Sequence, residues 1–92
     1  MKATADIQVI PIGAGVSVRT EVQRAHQVLE ESGLPVSLHP NGTSMEGELA
    51  DILDAVRRVH ETLHAEGTVR IASFVKLSTR TDKEPSLAAK MF

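Results

Sequence analysis

His60-Glu61-Thr62-Leu63-His64 is the segment whose residue types and spacing speak most directly of chemistry. On a helix, histidines four apart share one face, where two imidazoles can hold a zinc ion while the intervening Glu acts as general base. The pattern continues to Gly67, as in the extended zinc-protease motif, but three residues later, where a third ligand belongs, stands Arg70. A guanidinium there repels a metal cation rather than binding it. At about 100° per residue, His60 falls within the apolar stripe of its helix and His64 at the edge of that stripe. A helix packed on a sheet by that stripe leaves the pair no open cavity for a substrate. Zinc hydrolysis is therefore the remote alternative, and no metal is assigned.

Pro40-Asn41-Gly42-Thr43-Ser44-Met45-Glu46-Gly47 is the second segment of interest. Asn41 and Gly42 both tolerate positive φ, which predicts a type I′ hairpin turn. A strand near residues 43–47 then carries the hydroxyl of Thr43 and the carboxylate of Glu46. The same residues read equally well as a hairpin and the polar lead-in to a helix. Other candidates are weaker. His26 and His39 are isolated, and lone histidines are more often surface or capping groups than ligands. Ser17, Ser44 and Ser73 lack the context of a nucleophile elbow. Lys76 reads first as an outward-facing strand residue, and Arg80-Thr81-Asp82-Lys83 as a solvated loop. Gly13-Ala14-Gly15 lacks the remaining glycines and the lysine of a phosphate loop.

The totals exclude several classes. Ninety-two residues make one small domain, 1–92, whose core is limited. The chain is 41% hydrophobic and 24% charged, but only Phe74 and Phe92 are aromatic, so the core is aliphatic. A core this small and light favours association with further copies. Net charge is −2, without the basic stripe or stacking aromatics of a nucleic-acid binder. There is no cysteine, hence no disulfide, thiol nucleophile or Cys-based metal site. No apolar run approaches the roughly 20 residues of a membrane span, and no signal-peptide core is present. Cytoplasm is the expected compartment.

The elements that must position these side chains follow from periodicity. Residues 3–10 alternate as a half-buried strand, broken at Pro11. Ser17 is a candidate N-cap for a helix over about 18–31, with Val18, Val22, Ala25, Val28 and Leu29 as its stripe and Gly33 as its stop. Residues 34–39 read as a second strand and 43–47 as a third. A second helix runs from about Glu48 to Glu66 on Leu49, Ile52, Leu53, Val56, Val59 and Leu63, ending at Gly67. Val69–Leu77, rich in β-branched residues, reads as a central fourth strand. A short C-terminal helix is expected to carry Leu87, Met91 and Phe92. The order βαββαβ predicts an α+β, ferredoxin-like fold: a four-stranded antiparallel sheet with two helices on one face. The other sheet face must be covered, and sheet-to-sheet pairing of copies would cover it.

The pieces in order resemble the MTH1187/YkoF-like thiamine-binding family. The resemblance is carried by Ile10-Pro11-Ile12-Gly13 with Ser17-Val18, Ser32-Gly33-Leu34, Asn41-Gly42-Thr43 with Glu46-Gly47, and His60-Glu61. It continues through Val69-Arg70-Ile71, Val75-Lys76-Leu77, Arg80-Thr81-Asp82-Lys83 and Lys90. It implies a homodimer or homotetramer built through the sheets. It also implies non-catalytic binding of thiamine or its hydroxymethylpyrimidine part, with no cofactor, as carrier, buffer or sensor. The candidate ligand residues are Ser17, Thr43, Glu46 and Gly47. A hydroxyl and a carboxylate suit the amine edge of an aminopyrimidine. Arg19 and Glu21 stand where the family often has a serine and an aromatic residue, which bears on ligand choice. The alternative is a ferredoxin-like regulatory or interaction domain without a small ligand.

Overall fold

The structure, a computed structural model, describes residues 1–13 and 19–88. Its elements are β1 (Lys2–Ile12), α1 (Arg19–Glu30), β2 (Val36–His39), β3 (Gly42–Glu48), α2 (Leu49–Ala65) and β4 (Arg70–Thr79). The strands form one antiparallel sheet in the order β2-β3-β1-β4. This is the expected ferredoxin-like arrangement. Ser17 and Val18 lie outside the described residues, as does most of the expected C-terminal helix.

Alternation along β1 decides which sheet face is covered. Ala3, Ala5 and Ile7 point to the helices and are buried with Met45 of β3. Against them pack Ala25, Val28 and Leu29 of α1, and Ile52, Ala55, Val59 and Leu63 of α2. The α2 stripe is thus narrower than expected. Leu53 stands about 100° round from Ile52 and is exposed. Both helices end at glycines. Gly33 takes a φ of 79° and Gly67 one of 104°. At Gly67 the amide donates to His64 O at 3.1 Å and the Thr68 amide to Leu63 O at 2.9 Å, the paired bonds of a Schellman stop.

Three local expectations are corrected. Pro11 does not break β1, which continues to Ile12 paired with Arg70 of β4. Pairing with β3 has already ended at Ile7↔Thr43, so β1 there has a free edge where a missing N–H loses no ladder bond. Second, the hairpin loop is Pro40-Asn41, closed by the His39↔Gly42 pair, not Asn41-Gly42. Proline is locked near −65°, and Asn41 also keeps a negative φ, so no type I′ turn forms. Third, β4 is an edge strand and β1 is central. The small alanines of β1 fit under the helices, whereas Phe74 of β4 is 62% exposed.

Candidate functional site

A cleft of about 240 Å³ opens where β1 outruns its neighbour. Past Ile7, β1 has no partner on the β3 side, while α1 crosses above and the β2–β3 hairpin stands beside it. Ile7, Val9, Val22, Leu29 and Leu38 make its walls apolar. Its polar groups are few, as in most small-molecule sites. Thr43 sits at the start of β3 on the helix side, 4% exposed. Its Oγ1 lies 3.2 Å from His26 Nδ1, and His26 Nε2 lies 3.0 Å from Glu30 Oε1. Val22, His26 and Leu29 follow the i, i+4, i+7 spacing, so one face of α1 carries the imidazole into the cleft with its walls.

His39 forms the rim. Its Nε2 donates to Asp6 Oδ1 at 3.1 Å, and its Nδ1 accepts the Asn41 amide at 3.3 Å. Asp6 lies on the opposite, open sheet face and also accepts from Ser44 Oγ at 2.6 Å. That hydroxyl holds the Asp6 carboxyl below its ordinary value. Partial burial pushes the other way, and His39 and then Lys76 add to the lowering. The open face therefore carries a polar group of Asp6, Ser44, His39 and Lys76. Two residues along β4 from Lys76, Phe74 is exposed on the same face.

The sequence-predicted site residues are not gathered in one place. Thr43 lines the cleft. Glu46, three positions on, points to the open face, where its Oε2 accepts the Leu87 amide at 2.9 Å. Gly47 returns to the helix side but is backed by Leu34, whose Cδ2 would lie 2.9 Å from a Cβ there. Glu46 and Gly47 line a separate hollow of about 400 Å³ with Glu48, Asp51 and Glu84. Ser17 lies outside the described residues. His26 and His39 were passed over in the sequence because each stands alone; the helical phase of His26 with Val22 and Leu29 was the available signal.

The zinc-like motif is divided among structural partners. His60 Nε2 lies 2.8 Å from Ser73 Oγ on β4. His64 Nδ1 donates to Thr68 O at 2.8 Å, closing the helix end. Arg57 Nη1 donates to both carboxylate oxygens of Glu61 at 2.8 Å. Among the described residues no three His, Asp or Glu side chains converge to hold a metal ion. Among them, too, no helix is long and apolar enough to cross a membrane.

A family model described as thiamine-binding protein matches residues 5–92. The chain belongs to this thiamine-binding protein family. Its relatives include the UPF0045 protein sll0230 of Synechocystis, 38% identical over 91 residues, covering 99% of this chain and 75% of that one. The UPF0045 protein MJ1052 of Methanocaldococcus jannaschii is 34% identical over 90 residues, covering 98% and 89%. The crystal structure of MJ1052 superposes with a TM-score of 0.89 at 35% identity, covering 97% of this chain and 91% of that one. This chain and MJ1052 thus share the overall fold over nearly their full lengths.

Proposed function

We propose that the chain binds thiamine, or its hydroxymethylpyrimidine part, without chemical conversion, as carrier, buffer or sensor. The observation that carries this reading is the cleft beside Thr43, in a chain whose family is described as thiamine-binding. At about 240 Å³ it falls just below the usual roughly 300–1,000 Å³ of ligand pockets, a size for one heteroaromatic ring. Apolar walls suit the ring faces, and the Thr43 hydroxyl suits a polar ring edge. Thr43 stands within a strand, not on the exposed strand-to-helix elbow that presents a nucleophile, which supports binding over catalysis. Of Thr43, Glu46 and Gly47, the described residues among the four the sequence points to, Thr43 lines this cleft.

The same reading includes a homo-oligomer paired through the open sheet faces. Exposed Phe74 beside the polar centre, with Ile12 exposed at the end of β1, is its support. That face also favours the second reading, an interaction domain that takes no small ligand. Thermal unfolding separates them. A ligand that binds only the folded chain raises the midpoint with its concentration. Hydroxymethylpyrimidine or thiamine is expected to raise it, and a midpoint unmoved by both overturns the binding reading.

A further inference from the structure

We propose that His26 sets the hydrogen-bond polarity of Thr43 and thereby makes the cleft prefer a ring bearing an amino group over one bearing a carbonyl. This rests on the reading above that the cleft holds the pyrimidine ring.

Glu30 ends α1, is 56% exposed, and turns a carboxylate oxygen, an acceptor, toward the ring. The imidazole nitrogen it faces at 3.0 Å, Nε2, therefore carries the proton. In a neutral imidazole the other nitrogen, Nδ1, is then a bare acceptor. It lies 3.2 Å from Thr43 Oγ1, which must donate its one proton to it. What the hydroxyl still offers is lone pairs, and Thr43 lines the cleft. A ring amine finds an acceptor there, whereas a ring carbonyl meets oxygen against oxygen. A protonated His26 would donate from Nδ1 instead, freeing the Thr43 proton for the cleft and inverting the preference.

The surroundings leave Glu30 in control. Arg24 of α1 is directed to Glu31, just past that helix, and to Glu66 at the C-cap of α2. From the hairpin, His39 is held by Asp6 of β1 and by the Asn41 amide. Among the described residues lining the cleft, His26 and His39 are the titratable ones.

Because Glu30 is exposed and lies outside the cleft lining, reversing its charge tests the relay without reshaping the site. In Glu30→Lys the ammonium only donates, so Nε2 must accept and Nδ1 must carry the proton. Nitrogen NMR of the His26 ring is expected to show the Nε2–H form in the unmodified chain and the Nδ1–H form in Glu30→Lys. Binding of hydroxymethylpyrimidine and of its 4-oxo analogue is then compared by calorimetry. The unmodified chain is expected to favour the amino ring by about tenfold, the scale of one hydrogen bond. Glu30→Lys is expected to reverse the order, and Thr43→Val to bring the ratio near one. If the amino ring binds but all three proteins share one ratio, or the tautomer does not change in Glu30→Lys, the relay is wrong. If neither ring binds the unmodified chain, the binding reading itself falls, and the inference with it.

Discussion

Thr43 and Glu46 are three positions apart on one strand, and an odd separation sends two side chains to opposite sheet faces. One chain thus offers Thr43 to the cleft and Glu46 to the C-terminal segment. In Glu46→Gln, affinity in the cleft is expected to stay within about twofold, while the Leu87 amide, losing a charged acceptor, exchanges its hydrogen faster. A marked loss of ligand affinity would bring Glu46 back to the site. Asp6 gives a pH signature. Its carboxyl is lowered in the folded chain, so the stability it contributes is complete above the ordinary 3.8 and disappears as pH falls through the lowered value. Asp6→Asn is therefore expected to be less stable than the parent at neutral pH, with the gap closing in acid. A gap that stays constant down the acid limb contradicts this. In the sequence Thr43 was legible, because a turn and a glycine pair frame it. His26 was not, because its partners lie four residues on along a helix and 17 away on a strand.

At the scale of elements, the residues that stop the chain were more legible than those that bend it. Gly33 and Gly67 end their helices as their positions suggest, since left-handed backbone there suits glycine. The hairpin was misplaced by one residue because Pro40 competes with the Asn41-Gly42 signal and takes the first loop position. Gly42 has another duty. A Cβ there would lie 2.4 Å from Ile7 O, and its φ is +151°. Neither backbone can give without breaking the β1–β3 ladder. Gly42→Ala is expected to lower stability by about 2–3 kcal/mol in denaturant titration, and a loss below about 0.5 kcal/mol would mean the hairpin yields freely. The composition of the fourth strand suggests a central place. Its apolar Ile71, Val75 and Leu77, however, share the helix-side face, while Arg70, Lys76 and Ser78 lie with Phe74 on the open face, and one apolar face suits an edge strand as well as a central one.

For the whole molecule, the helices cover one sheet face and leave the other with Phe74 at 62% exposure. Side chains of Val, Ile, Leu and Ala, with Met45, fill the core, so little apolar area is in reserve, and pairing of open faces would add to it. Phe74→Lys places a charge on that face without touching the core. Light scattering is expected to show a smaller assembly for this variant, and an unchanged mass would remove the open face from self-association. The βαββαβ order was legible from the two helical periods and four strand runs alone. The cleft was not, because it arises from a length mismatch: β1 extends to Ile12 while its β3 ladder stops at Ile7. On the proposed function, this mismatch holds a pyrimidine ring against Thr43. The most direct test is calorimetric titration of the chain and of Thr43→Val with hydroxymethylpyrimidine. The account predicts saturable binding, one ring per chain, weakened about tenfold by losing the one hydroxyl. Equal affinity in the two proteins, or no heat from the folded parent chain, would contradict it.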